Sequence, residues 1–293
     1  MKVQRPSLIA AILAITLGSP AVADQSHPPD FSAQIGALEE EAGGCVGVAA
    51  LDTGSGKRLE YHADQRFAMC STYKLLLTAA VLSRIDSQAE NSDRRVRFDR
   101  QDLEQYAPVI AAHLPEGSMT VLDLCAATAV YSDNSAANLL LRSIGGPAAL
   151  TGYVRSLGDS VTRIDRTEPA INTNLPGDQR DTTTPNAMLN TMQKILLSDL
   201  LSQQSRQQLR NWLVDSKTGS SRLRAGINPA YPAGDKSGSG DNGATNDVLV
   251  VWPNPNSPFL IAAYYTGSTA PQEARDSVLA DVSRIVSQDL GFR

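Results

Sequence analysis

Residues 247–267 read DVLVVWPNPNSPFLIAAYYTG: two apolar runs, DVLVVWP and FLIAAYYTG, on either side of a short Pro-rich patch, Trp252 to Pro258. Val, Leu, Ile and Tyr crowd both runs, and the prolines between them suit a turn and not a helix, so the stretch reads as two strands joined by a turn. Near the other end of the chain VGVAALDT (46–53) and KRLEYHA (57–63) have the same character, and Gly54 and Gly56 between them suit a hairpin. Strands at both ends imply one sheet assembled from the two termini, with whatever lies between set beside it.

From Ser71 to about Leu213 the pattern is almost wholly helical, in LTAAVLSRI, VLDLCAATAVY, SAANLLLRSI, AALTGYVRSL and PNAMLNTMQKILL. Helices also flank the sheet segments, FSAQIGALEEEA before and EARDSVLADVSRIVSQDL after. The expected fold is therefore α/β of the α+β type: an antiparallel sheet from both chain ends, flanked by helices, with an all-helical insertion. Residues 24–65 plus 214–293 make the sheet unit and 66–213 the helical one. A cleft between the two is the default binding site.

The chain has 293 residues with 42% hydrophobic content, enough to bury a large core. Lys2 and Arg5 precede the apolar run LIAAILAITL and the small-residue site Ala21-Val22-Ala23, so residues 1–23 read as a secretory signal peptide. That run is too short for an ordinary membrane span, and no later segment is long enough. The product is expected to be a soluble monomer. Removing Lys2 and Arg5 with the leader takes the net charge from −5 to −7, which argues against nucleic acid. Three cysteines, Cys45, Cys70 and Cys125, allow at most one internal disulfide.

The chemistry starts from a charge in an apolar setting. In QRFAMCSTYKLLLTAAVL (65–82) the only lysine is Lys74, and three residues before it stands Ser71. A buried ammonium needs a partner or a lowered pKa, and residues three apart share a helix face. A hydroxyl beside such an amine is the pattern of an activated nucleophile. Ser71-x-x-Lys74 occurs once in the chain, and two signals accompany it: Ser132-Asp133-Asn134 between helical stretches, and Lys236-Ser237-Gly238 just before DVLVVWP. S-x-x-K, S-D-N and K-T-G together form the motif set of class A β-lactamases and penicillin-binding proteins.

At these residues the chain resembles the class A serine β-lactamases, from about Phe31 to the C-terminus. The family's loop is legible in RIDRTEPAINTNLPGDQRDTTTP (163–185), where Arg166, Glu168, Pro169, Asn172 and Asp181 fall on its pattern; Tyr106, Asn138 and SGSGDNGATND (237–247) also match. The resemblance implies that Ser71 attacks a lactam carbonyl, with its own N–H and that of Ser239 as oxyanion hole. Lys74 or Glu168 acts as base for acylation, Ser132 relays a proton to the leaving nitrogen, and Asn134 holds the substrate amide. It also implies that Lys236, Ser237 and Arg222 meet the substrate carboxylate, that Tyr106, Asn172 and Asp241 bind substrate, and that Arg166 and Asp181 close the neck of the loop. A cis Glu168-Pro169 bond belongs to the same pattern.

Lys217-Thr218-Gly219 is a closer match to K-T-G than Lys236-Ser237-Gly238, but it precedes the polar SSRLRAG instead of a strand and is set aside as a decoy. GSGKR at 54–58 lacks the spacing of a phosphate loop. His27, His62 and His113 form no His-x-x-His pair, so no zinc enzyme, no metal and no cofactor is expected. Glu168 with Asn172 separates a hydrolase from a D-alanyl-D-alanine peptidase, which shares the three motifs without a water-activating glutamate. An acylated drug-sensing receptor needs a membrane span. Ser239 and Asp241 resemble positions in relatives that handle oxyimino-cephalosporins such as cefotaxime. Cys70 resembles the cysteine of carbapenem-hydrolysing relatives, whose partner position here is Gly240, and the commoner family disulfide to Cys125 meets Thr78. The expectation is an extended-spectrum β-lactam hydrolase with three free thiols, in the periplasm of a Gram-negative bacterium, giving antibiotic resistance.

Overall fold

A computed structural model describes Met1 and residues 30–292; the leader expected over residues 1–23 falls outside them apart from Met1. The chain enters helix α1 (Phe31–Ala42) through Asp30, whose carboxylate accepts from the Ala33 amide at 2.8 Å and so caps the first turn. Strands β1 (Cys45–Asp52) and β2 (Arg58–Tyr61) form the anticipated hairpin, and the two-residue β3 (Phe67–Ala68) follows. The helical region runs through α2 (Tyr73–Asp86), α3 (Pro108–Ala112), α4 (Val121–Val130), α5 (Asn134–Ile144), α6 (Pro147–Ser156), α7 (Pro185–Leu197) and α8 (Gln203–Val214). It is interrupted by the short strands β4 (Arg95–Arg97), β5 (Ser118–Thr120) and β6 (Thr182–Thr183). The chain ends with β7 (Ala233–Ser239), β8 (Thr245–Val251), β9 (Phe259–Thr266) and α9 (Gln272–Leu290).

Five strands make one antiparallel sheet in the order β2-β1-β9-β8-β7, so β9 joins the N-terminal hairpin to the C-terminal strands. Its two faces explain the sequence of the opening stretch. Leu249, Val251, Ile261, Ala263 and Tyr265 face one core together with Phe31 and Ile35 of α1 and Leu279 and Val282 of α9. Their neighbours Val248, Val250, Leu260, Ala262 and Tyr264 face the other, with the helical region. A strand covered on both sides is apolar wherever no buried partner satisfies a polar group, and that is why Val248–Val251 and Leu260–Tyr265 read as unbroken runs and not alternations.

Two points differ from the sequence reading. The middle of the chain is not wholly helical: β3 pairs with β6 and β4 with β5, each too short to show a period. The Lys236 motif lies within a strand of its own, β7, at the sheet edge beside β8, and not merely ahead of DVLVVWP. No described helix is long and apolar enough to cross a membrane.

Candidate active site

Ser71 sits in a single 3₁₀ turn, Cys70–Thr72, that runs straight into α2. Cys70 takes a left-handed backbone, φ 47°, to make the corner, and the next turn brings Lys74 back under Ser71. Lys74 Nζ donates to Ser71 Oγ at 3.0 Å. The amine is fully buried and meets four further oxygens: Glu168 Oε1 at 2.9 Å, Ser132 O at 2.8 Å, Asn134 Oδ1 at 2.5 Å and Ser132 Oγ at 3.4 Å. Burial pulls its pKa down, and the Glu168 carboxylate pulls it back up.

Ser132 and Asn134 are presented by the turn between α4 and α5. Asp133, between them, holds that turn: its carboxylate caps α5 through the Ala136 amide (2.9 Å) and accepts from the Val109 and Ile110 amides (2.9 and 3.0 Å) at the start of α3. One side chain therefore fixes two helix starts and the φ of +58° at Ser132.

Glu168 arrives on the loop 163–181, whose neck is closed by Arg166 Nε on Asp181 Oδ2 at 2.5 Å; Asp181 also accepts from the Asp165 and Arg166 amides (2.7 and 3.0 Å). Asn138 clamps the tip, receiving the Glu168 amide at 2.9 Å and donating to the Glu168 carbonyl at 3.0 Å. The Glu168–Pro169 bond is cis. Glu168 is buried, with Oε1 3.5 Å from Ser71 Oγ, and its Oε2 accepts from Asn172 Nδ2 at 2.5 Å. Asn172 Oδ1 is buried without a partner among the described residues, an acceptor open to solvent or a ligand.

The third wall is β7. Lys236 Nζ is fully buried and donates to Ser132 Oγ at 2.9 Å. Burial, then the charge of Lys74, lowers its pKa to about 7, against opposing pulls from Asp235 and Asp247. Asp247 is itself raised well above the usual carboxylate range by burial and by Asp235.

A cavity of about 310 Å³ opens between these walls, lined by Ser71, Tyr106, Ser132, Asn134, Asn172, Thr218, Arg222, Ser237, Gly238 and Ser239. Lys74, Glu168 and Lys236 stand directly behind that lining. Arg222 reaches it nearly spent: four of its five N–H groups go to Asp276 (2.8 Å), the carbonyls of Gly238 and Asn246 (2.7 and 2.8 Å) and Ser239 Oγ (2.6 Å). Asp241 does not line the cavity. It is exposed past the end of β7, and its backbone ties the Glu168 loop to the sheet through Asn172 O (2.9 Å) and Asn174 Nδ2 (3.0 Å). Thr218 was missed: the decoy Lys217-Thr218-Gly219 does not take the place of the Lys236 motif, yet Thr218 Oγ1 accepts from Ser237 Oγ at 2.7 Å and lines the same wall. A larger cleft of about 500 Å³ lies elsewhere, between Arg66, Arg155 and Arg163, and is lined by no cysteine and no activated hydroxyl. The first two arginines there donate to backbone carbonyls.

Known proteins place this arrangement. Residues 30–290 match the Beta-lactamase enzyme family. The chain is 44% identical over 254 residues to β-lactamase CTX-M-97 of Escherichia coli, covering 87% of both. It is 43% identical over 287 residues to β-lactamase L2 of Stenotrophomonas maltophilia, covering 98% of this chain and 93% of that one. A solved structure of the last common ancestor of Gram-negative bacteria class A β-lactamase (GNCA4) superimposes with TM-score 0.87 at 53% identity, over 89% of this chain and 99% of the other. A match across nearly the whole sheet and helical region, at identities this high, carries the family as well as the fold, and the chain belongs to the class A serine β-lactamases, a family of β-lactam hydrolases.

Proposed function

We propose that this enzyme opens β-lactams through a serine acyl-enzyme, with Ser71 as nucleophile. The observation that carries the reading is that one hydroxyl, Ser71 Oγ, lies 3.0 Å from a buried amine and 3.5 Å from a buried carboxylate at the floor of an open cavity. Its proton passes to the Lys74–Glu168 pair as it attacks. The backbone N–H groups of Ser71 and Ser239 receive the developing oxyanion, where fixed donors act most strongly. Ser132 protonates the departing nitrogen, and Lys236, Ser237 and the remaining N–H of Arg222 hold the substrate carboxylate. Asn134 and Tyr106 flank the substrate side chain. Glu168 then deprotonates a water oriented by Asn172, and that water cleaves the ester.

The substrate range includes oxyimino-cephalosporins, supported by Ser239 at the cavity rim and by the likeness to CTX-M-97. Asp241 acts by holding the loop against β7, a role its position supports better than contact with substrate. The working unit is a monomer with a sheet part (24–65 and 214–293) and a helical part (66–213), directed to the periplasm by residues 1–23, which are removed on export. Mass spectrometry of Glu168→Ala mixed with benzylpenicillin tests the core of this reading: an adduct maps to Ser71 and disappears when Ser71→Ala is added. An adduct on another residue overturns it.

A further inference from the structure

Three side chains that are scattered in the sequence meet at one end of the sheet. Glu39 comes from α1, Cys45 opens β1, and His62 follows β2; their ligand atoms all lie within 4.8 Å of one another. His62 Nδ1 is 3.8 Å from Cys45 Sγ and 3.6 Å from Glu39 Oε2. A tetrahedral zinc ion with bonds of about 2.3 Å to sulfur and 2.0–2.1 Å to nitrogen and oxygen needs an S···N separation of roughly 3.6 Å and an N···O separation of roughly 3.3 Å. Both observed distances are therefore within about 0.3 Å of what an ion requires.

The surroundings orient the three groups. Tyr61 Oη donates to Glu39 Oε1 at 3.2 Å, which leaves Oε2 turned toward the imidazole, where it also receives the Val46 amide at 2.6 Å. Gln65 Nε2 donates to Cys45 Sγ at 3.2 Å and holds the sulfur in place. The Tyr61 ring lies 4.1 Å from the His62 ring and backs it. Without an ion His62 Nδ1 carries the ring proton and donates to the Val46 carbonyl at 3.1 Å; binding an ion moves that proton to Nε2 and turns the Nδ1 lone pair to the metal. Partners of this kind around ligands are the usual outer shell of a metal site.

We propose that Glu39, Cys45 and His62 bind one divalent cation of the zinc class, with water in the fourth position, and that the ion pins α1 to the β1–β2 hairpin. None of the three lines the catalytic cavity, so the ion is structural and takes no part in lactam opening. His62 and Glu39 are solvent-accessible enough for an ion to enter, and the mix of one soft and two borderline or hard ligands suits zinc better than calcium or magnesium.

Cobalt(II) titration of the purified, metal-stripped, reduced protein tests this. The expected result is one equivalent bound, with a thiolate-to-cobalt charge-transfer band and tetrahedral visible bands that zinc bleaches. Cys45→Ser and His62→Ala each abolish the charge-transfer band, and Tyr61→Phe weakens binding about tenfold. An independent readout uses native-state thiol labelling, because Cys70 and Cys125 are both 0% exposed and only Cys45 is within reach. Saturating zinc should block that labelling and raise the melting midpoint of the wild type but not of His62→Ala. A chain that takes up no cobalt at Cys45, a band that survives Cys45→Ser, or labelling that zinc leaves unchanged overturns the proposal.

Discussion

On the proposed mechanism, replacing Glu168 should separate capture of a β-lactam from its hydrolysis. The carboxylate lies 3.5 Å from Ser71 Oγ, 2.9 Å from Lys74 Nζ and 2.5 Å from Asn172 Nδ2, and it is 2% exposed. Glu168→Ala removes the carboxylate that stands 3.5 Å from Ser71 Oγ, and a general base is worth about 10² to 10⁴ in rate. At 1.36 kcal/mol per tenfold this is about 2.7 to 5.4 kcal/mol on the deacylation barrier. Acylation loses less, because Lys74 still contacts Ser71 Oγ at 3.0 Å and its pKa, already lowered by burial, falls further once the Glu168 charge is gone. Removing one member of a buried ion pair ordinarily destabilises a fold by about 3–5 kcal/mol, but Lys74 keeps the Ser132 carbonyl and Asn134 amide oxygen and can shed its proton. The variant should stay folded. Stopped-flow mixing with benzylpenicillin should show a fast burst and then turnover slowed by about 10² to 10⁴, with intact mass showing adduct on Ser71. Steady turnover at the wild-type rate would falsify the assignment of Glu168 and send the search to another base.

Three further outcomes are expected. The Lys236 cation is lost as pH rises through about 7, so kcat/KM for carboxylate-bearing β-lactams should decline above that pH, while in Lys236→Arg, whose guanidinium stays charged, the decline moves up; an unmoved limb would acquit Lys236. A Cβ at Gly238 would stand 2.9 Å from Met69 O and 3.0 Å from Ser71 N, so Gly238→Ala should push aside the backbone proposed as the oxyanion hole and lower kcat by at least about tenfold, checked by penicillin kinetics with the melting curve as control. Cefotaxime should be hydrolysed with an efficiency comparable to benzylpenicillin and imipenem far more poorly, since Cys70 is unpaired and faces Gly240; imipenem turnover equal to that of penicillin contradicts this.

The sheet was legible because β1, β8 and β9 are buried on both faces and so admit only apolar residues over most of their length. Ser71 and Lys74 were legible because Ser132-Asp133-Asn134 and Lys236-Ser237-Gly238 accompany them; the lone charge by itself suits a surface lysine as well. Strand β7 was not, since AGDKSGS holds two Gly, an Asp and a Lys, all poor strand formers. It is a strand because β8 pairs with it along its whole length and because Asp235 is neutralised by Arg224, whose Nε donates to it at 2.7 Å. Thr218 was hidden for a related reason: its partner Ser237 is 19 residues away, and nothing in SKTGSS marks a residue whose role is made by another element. The Glu39, Cys45 and His62 cluster escaped because no metal spacing exists along the chain; it arises only when α1, β1 and β2 converge. Departures from local propensity concentrate where the fold serves the site.

The pair of buried lysines shows what the cavity's geometry asks of Ser132. Lys74 and Lys236 are both fully buried, and each reaches the same hydroxyl, Ser132 Oγ, at 3.4 and 2.9 Å. Two ammonium groups this close repel, and the pKa of Lys236 falls because of Lys74 after burial itself. A lysine presents donors only, so a Ser132 oxygen held between two charged lysines accepts from both. Its own proton is then the one donor left over, and the oxygen bearing it lines the cavity. On the proposed mechanism that proton is delivered to the lactam nitrogen as the ring opens; Ser132 takes a replacement from charged Lys74, and Lys74 recovers its own from Glu168, which accepted the Ser71 proton. Two adjacent buried cations, costly for the fold, are thus what orients a neutral hydroxyl as an acid.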